Sequence, residues 1–399
     1  MEENPLLSLP RPIIEALFKS AEEEAKRARL RIQTLNERIS LLKPLLKFEK
    51  LERKTINKIV AVADGSMSPA SSRRIGSDFA VYTAGYMVFD GKSLIDEKYY
   101  AGSLSWYEDR ASMRTLLRLL MAYAERKAAF EAYEKFSPEF IILDGPFFYF
   151  RAHCRLIKGI KLGMDEFETG ADLIKKVCDL TLKLMETGRA VCIIRRSVIR
   201  AIDGWLIYKT GEHACIGTRD KHILTILMPE GTIWSYSSLL GNEYHPSVWA
   251  AFYRYYRKLR QAGSSKEELE SRKQTLLSQV LADFRRKYHL DLNLDINRIL
   301  ETQRYYIRYT TSAPPFEVEV TSEVDVKKFA ELFTNFFNSA TGLPFPIDMI
   351  DSSVSLPRGS TTAFTEEVEA RLLRDKNIKD KTVISDYFVY LNPQKREII

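Results

Sequence analysis

The chain reads as an α/β protein, with a mixed sheet flanked by helices, one long helix in front of it and a helical insertion behind. Three observations predict this. Two apolar runs, Val60-Ala61-Val62-Ala63-Asp64-Gly65 and Ile141-Ile142-Leu143-Asp144-Gly145, have the length of buried strands and close on the same two letters. Asp78 to Phe89 and Ser93 to Leu104 flank Asp90-Gly91-Lys92 as two strands flank a hairpin turn. Arg110 to Phe136 carries Leu116, Leu117, Leu120, Met121, Ala124, Ala128 and Tyr133 at helical spacing.

From Pro12 to Leu42, apolar residues recur at three- and four-residue steps through Ala21, Ala25, Ala28, Ile32, Leu35 and Ile39, and Pro44 ends the run. The opposite face is charged, from Glu22 to Arg31. The Ala stripe permits packing on the chain's own core, on a second copy or on a partner. Residues 1–50 therefore form an N-terminal unit, and 51–399 the main domain.

That domain opens with the strand Lys58 to Ala63 and the hairpin. Then come the helix ending at Phe136, the strand Phe140 to Leu143, a helix from Ala171 to Met185 and a buried strand from Ala190 to Ile194. The order β-β-β-α-β-α-β, with acidic residues on the first and fourth strands, is that of the RNase H-like fold. Helices from Ser247 to Gln261 and Ser265 to Tyr288 form an insertion at about 245–300. A hairpin of Tyr305 to Tyr309 and Phe316 to Val320 follows, then a helix from Val326 to Asn338. Gly342 to Pro346 reads as a helix break, and Thr365 as the cap of a closing helix to Leu373.

With 399 residues, 45% of them apolar, a sizeable core is available. Lys and Arg outnumber Asp and Glu by 60 to 53, a net charge of +7. This suits a polyanionic partner, and equally a Lys/Arg-rich surface of the thermophile kind. The four cysteines have no C-x-x-C spacing, which argues against zinc, and the five histidines lack H-E-x-x-H spacing. Gly91-Lys92-Ser93 has the wrong glycine spacing for a phosphate loop, and no Gly-x-Ser-x-Gly elbow occurs. No apolar run is long enough to span a bilayer, and the opening Met-Glu-Glu-Asn is not a signal peptide, so a cytoplasmic location is expected.

A carboxylate at the end of a buried strand, followed by a glycine that lets the chain turn, points into a crevice at the sheet edge. Asp64 and Asp144 on neighbouring strands supply the paired oxygens with which Mg²⁺ or Mn²⁺ grips a phosphodiester. Each Asp-Gly step is also an ordinary turn signal. Glu125, on the helix before the Asp144 strand, completes a triad, in competition with Glu131 and Glu134. Arg195, Arg196 and Arg200 follow the third buried strand, and Arg73 and Arg74 follow the Asp64 turn; both groups could meet phosphates or lie on a plain solvated surface. Arg254, Arg257 and Lys258 alternate with Phe252, Tyr253, Tyr255 and Tyr256, either as a platform for a single strand or as a helix with its rings in the core.

These residues resemble the NurA nucleases, which work with the HerA hexameric translocase in DNA end processing. The resemblance rests on Val62-Ala63-Asp64-Gly65-Ser66, Leu143-Asp144-Gly145-Pro146, Ile193-Ile194-Arg195-Arg196-Ser197 and Gly342-Leu343-Pro344-Phe345-Pro346. It implies Mn²⁺-dependent cleavage of DNA (Mg²⁺ being the chemical alternative), a homodimer and a HerA-like hexameric ATPase as partner. It carries the catalytic Asp, helical Glu and second Asp onto Asp64, Glu125 and Asp144. In one segment the chain departs from the family. Leu343 stands where the family has a tyrosine, and Asp351 where it has a metal-site histidine. A carboxylate in that place suits Mg²⁺ or Mn²⁺; Asp348 competes for the role, and Asp351 could instead cap a turn before Ser352-Ser353. The loss of the tyrosine keeps open a second reading, a catalytically silent DNA-binding or scaffolding subunit of a translocase.

Overall fold

The structure, a computed structural model, describes residues 4–392. Helix α1 (Arg11–Leu42) precedes strand β1 (Ile59–Met67) and the hairpin of β2 (Asp78–Asp90) and β3 (Ser93–Trp106). Helix α2 (Arg110–Phe136), strand β4 (Phe140–Asp144), helix α3 (Gly170–Glu186) and strand β5 (Ala190–Ile194) complete the order read from the sequence. Strand β6 (Thr232–Ser235) and helices α4 (Pro246–Gln261) and α5 (Lys273–Leu292) lead to the hairpin of β7 (Gln303–Arg308) and β8 (Phe316–Val320). Helices α6 (Phe345–Val354), α7 (Ser360–Arg374) and α8 (Lys381–Phe388) follow.

One mixed sheet runs β6-β7-β8-β5-β4-β1-β2, with β3 on the outer side of β2. Only β4 is parallel to both its neighbours, β1 and β5. The three central strands are covered on both faces, which is why they read as unbroken apolar runs. Val60, Val62, Ile142 and Ile193 face a cluster with Phe329, Ile347 and Ile350. Ala61, Ala63, Ile141 and Leu143 face α2 and α3. The small Ala61 and Ala63 meet an equally small stripe on α2 (Ala122, Ala128, Ala129, Ala132), so helix and sheet approach closely. A third cluster joins Trp234 of β6 and Trp249, Phe252 and Tyr256 of α4 to Ile39 and Leu42 of α1. These two are the buried residues of α1, while Leu17, Phe18, Leu30 and Ile32 are exposed.

The structure corrects several sequence expectations. β1 does not turn at Gly65. Its ladder with β2 continues to Met67 paired with Tyr82, so Asp64 lies within the strand. The helix expected over Val326 to Asn338 stops at Leu332, where Phe333 and Phe337 turn inward to the apolar cluster. Pro346 begins helix α6 instead of breaking one, because the first helical turn needs no donor from it. The closing helix starts at Ser360; Thr365 is inside it, its hydroxyl donating to the Thr361 carbonyl at 2.7 Å. The helix from Ser265 is divided at Arg272. Residues 1–3 and 393–399, at the ends of the two expected units, lie outside the described residues.

His245 at the start of α4 reports on the buried polar layer under β7 and β8. Its Nδ1 accepts the Ser247 N–H at 3.2 Å, and its Nε2 lies 3.3 Å from the Thr302 hydroxyl. Burial, reinforced by Arg304, lowers its pKa from 6.5 to about 3. A folded pKa below the unfolded one gives stability that is present above pH 6.5 and lost as pH falls towards 3, on the order of 5 kcal/mol in all. The variant His245→Gln is therefore expected to lose stability more shallowly between pH 7 and 4 in urea titrations. Parallel curves for variant and parent would show that the ring does not govern this limb.

Candidate metal centre

Asp64 shares the face of Val60 and Val62 and is almost wholly buried. Its Oδ1 accepts the Gly65 N–H at 2.7 Å, while Oδ2 has no hydrogen-bond partner. Asp144 ends β4, and Gly145 turns the chain there with φ of 79°, its N–H donating to the Ile193 carbonyl at 2.8 Å. Arg195 leaves the adjacent β5. It grips Asp144 with both arms, Nε to Oδ1 at 3.0 Å and Nη2 to Oδ2 at 2.5 Å. The same Nη2 donates to Asp351 Oδ1 at 2.9 Å and lies 3.6 Å from Asp64 Oδ2. Carboxylates from β1, β4 and α6 thus converge on one guanidinium.

Asp351 sits in the last turn of α6, so the turn-capping alternative fails. Asp348, its competitor, accepts from the Thr341 hydroxyl at 2.6 Å. Leu343 is buried in the apolar cluster beneath.

Glu125 reaches the crevice from the other face of β1. Gly65 makes that possible: a Cβ there would lie 2.9 Å from Met121 Cγ and 3.4 Å from Glu125 Oε2. The glycine serves the approach of α2, not a turn. Glu125 is 1% exposed; its Oε1 pairs with Arg126 Nη1 at 2.5 Å and its Oε2 accepts from the Tyr149 hydroxyl at 2.9 Å. Its rivals lie elsewhere, Glu131 on Lys98 and Tyr100, Glu134 exposed. Sequence reasoning missed Tyr149 and Arg126. The available signal was a charged pair, Glu125-Arg126, inside the Ala-rich buried run of α2.

Burial, then the charges of Asp144 and Glu125, raise the pKa of Asp64 well above the usual range; Arg195 and the Gly65 N–H oppose this. Burial also raises Glu125 to about 7, with Arg126 and Tyr149 opposing and Asp144 adding. The cluster is short of positive charge. Among the described residues no three Asp, Glu, His or Cys side chains are drawn close enough to form a ready cation cage, because the acids splay around Arg195. The orphaned Asp64 oxygen and the all-oxygen donor set fit a hard divalent ion such as Mg²⁺ or Mn²⁺.

The expected phosphate contacts separate. Arg195 is in the acidic centre. Arg196 and Arg73 are exposed, the latter 3.6 Å from Asp78. Arg74 is a correction: it is buried, donates to the Phe388 carbonyl at 3.1 Å and lies under the Tyr390 ring, so it fastens the C-terminal segment. Arg200 donates to the Tyr253 hydroxyl at 2.6 Å, and Arg257 pairs with Glu212 at 3.5 Å. Phe252, Tyr253 and Tyr256 are core residues, which leaves Tyr255 as the exposed ring of that set. Arg254, Tyr255 and Lys258 line a cavity of about 600 Å³ with Arg151 and Lys287.

Three parallel strands flanked by an antiparallel hairpin, with acids from two strands and two helices facing one crevice, define an RNase H-like protein with a carboxylate centre. The chain belongs to the NurA family, whose NurA domain matches residues 2–356. The crystal structure of the NurA nuclease from Sulfolobus solfataricus aligns at a TM-score of 0.57 and 12% identity, covering 93% of this chain and 99% of that one. A structure of NurA bound to dAMP and manganese aligns at 0.46 and 13% identity, covering 94% and 99%. No curated protein sequence matched. Among the described residues no helix is long and apolar enough to cross a membrane.

Removing the guanidinium should leave three acids facing one another. Arg195→Gln is expected to cost about 2 kcal/mol in EDTA, less than for a fully buried pair because the side chain is partly exposed. Added Mn²⁺ should restore most of it. Equal melting temperatures for variant and parent in EDTA would show that Arg195 does not balance the cluster.

Proposed function

We propose that this chain is a divalent-metal-dependent deoxyribonuclease that processes DNA ends in repair, with Asp64, Glu125 and Asp144 as catalytic ligands and Asp351 as a fourth. The observation that carries this reading is the convergence of Asp64, Asp144 and Asp351, from three separate elements, on a single cationic position. Membership of the NurA family supports it. Two ions, when bound, lower the pKa of an attacking water and stabilise the departing 3′-oxygen. The protein's own part is to hold that charge in place. Asp64 and Asp144 stand on paired strands, and Tyr149 fixes the rotamer of Glu125. Arg195 offers a planar fork that matches a phosphate as well as it matches Asp144.

The test is cleavage of end-labelled single- and double-stranded DNA with Mn²⁺, Mg²⁺ or EDTA. Asp64→Asn and Asp144→Asn, which keep shape and remove charge, are expected to abolish metal-dependent cleavage with the fold intact. Asp351→His should retain some activity, and Asp351→Ala should weaken Mn²⁺ binding measured by calorimetry. Near-parental cleavage by either Asn variant would sink the proposal. The second reading, a catalytically silent DNA-binding subunit, draws on Leu343 in place of a tyrosine; parent protein that binds DNA but neither binds Mn²⁺ nor cleaves would select it.

Residues 1–50 are proposed as the assembly surface, in a homodimer or towards a HerA-like hexameric ATPase in the cytoplasm. The exposed Leu17, Phe18, Leu30 and Ile32 support this, since a helix packed on its own core would bury them. Deleting the residues before Lys47 is expected to change the sedimentation coefficient of the assembly or to abolish ATPase binding. A truncated chain that keeps both would assign α1 to local packing.

A further inference from the structure

We infer that an arginine-lined groove along α2 holds the phosphate backbone of one DNA strand leading away from the metal centre, an inference that rests on the nuclease reading above. Two cavities, of about 650 and 340 Å³, share Pro69, Ala70, Ser71 and Arg110 in their walls and so form one elongated groove. Arg110, Arg114 and Arg118 line it from successive turns of one face of α2. Arg73 and Arg358 line its far part. Among the described residues, no carboxylate lines either cavity.

Apart from Arg73, which lies 3.6 Å from Asp78, the charges here are uncompensated. Arg257, Arg260 and Arg371 each sit on a glutamate, whereas Arg110, Arg114, Arg118 and Arg358 form no ion pair among the described residues and line walls without a carboxylate. Asp109, the nearest acid in sequence, is committed to its own helix, accepting the Ser112 N–H at 2.8 Å. Like charges gathered in a concavity favour an anion there. Arg110 to Arg118 spans about 12 Å along the helix, too far for one small anion to touch both ends and suited to a chain of phosphates.

The groove and the acidic centre are built on the same elements. Arg118 is two turns before Glu125 on the same helix, about 10 Å along its axis. On the strand side, Met67 and Ser68 line the groove just beyond Asp64. The segment after Asp351 follows the same course: Leu356 N–H meets the Ser66 hydroxyl at 3.5 Å, and the Thr361 hydroxyl donates to the Ala70 carbonyl at 3.2 Å. That path brings Arg358 to the groove.

The test is fluorescence anisotropy of a labelled oligo(dT) strand in EDTA, where nothing is cut, as a function of salt. Replacing Arg110, Arg114 and Arg118 together by Gln is expected to weaken binding and to lower the slope of log K against log salt by roughly 2, at about 0.7 for each phosphate that the variant no longer neutralises. Arg→Lys at the same positions should keep the slope. A control triple on α3 and the short hairpin before it, Lys161, Lys175 and Lys176 to Gln, removes equal charge and should leave it nearly unchanged. Unchanged binding in the groove variant, or an equal loss in the control, overturns the inference. Mn²⁺-dependent hydrolysis of bis(p-nitrophenyl) phosphate, too small to span the groove, should be the same in parent and groove variant. Its absence from both would count against the nuclease reading, while the anisotropy result would still decide the groove.

Discussion

The arrangement of the centre turns on a charge imbalance. Asp64, Asp144 and Asp351 face one cation, Arg195, and Glu125 is held by a second, Arg126. Like charges at such range cannot all ionise in a poorly solvated crevice unless positive charge is supplied. Burial first, and then the charges of Asp144 and Glu125, push the pKa of Asp64 up, and its Oδ2 is left unbonded. The fold holds these groups together. Parallel pairing of β1 with β4 and of β4 with β5 sets Asp64 and Asp144 on adjacent strands and Arg195 just past the end of the third, and Asp351 reaches them from α6.

The loop after Asp144 is clamped from behind. The Phe147 N–H donates to Glu319 Oε2 at 3.0 Å, and the Phe147 carbonyl accepts from Arg126 Nη2 at 3.3 Å. Glu319 is itself held by Arg304, which also binds Glu317, all three being buried. One loop therefore carries both the turn at Gly145 and the Tyr149 hydroxyl that orients Glu125. A buried ionic network of this kind adds little net stability. Its value here is positional, because it fixes a loop that has no sheet partner of its own.

Much of this was legible in the sequence, and the reason is burial. Strands covered on both faces leave unbroken apolar runs, so Val60 to Ala63 and Ile141 to Leu143 stood out and delivered Asp64 and Asp144. Asp351 was legible only through the NurA resemblance. Other features were hidden by chemistry that two different structures share. Asp64-Gly65 reads as a turn, yet here the missing Cβ admits Met121 and Glu125 against a continuing strand. Pro346 reads as a breaker, yet starts a helix. β6 has four residues and takes its stability from pairing with Ile307 and its neighbours, a long-range contact that no local pattern reveals. Arg74 looks like Arg73 in sequence; one is buried under Tyr390 and the other is exposed.

The two electrostatic regions of the molecule work against each other unless they are kept apart. An acidic crevice repels a phosphodiester, and a basic groove attracts it. With a screening length of about 8–10 Å at physiological salt, a separation of about 10 Å lets each region act largely on its own part of a strand. On the proposed reading the groove would retain DNA whatever the occupancy of the centre, while a scissile phosphate would meet favourable charge only where the carboxylates are neutralised. On the reading proposed above, binding and cleavage would fall to different residues, Arg110, Arg114 and Arg118 for the first and Asp64, Glu125, Asp144 and Asp351 for the second. The bridge between them is α2, which bears three arginines at one end and Glu125 further along, and so fixes the distance between groove and acidic centre.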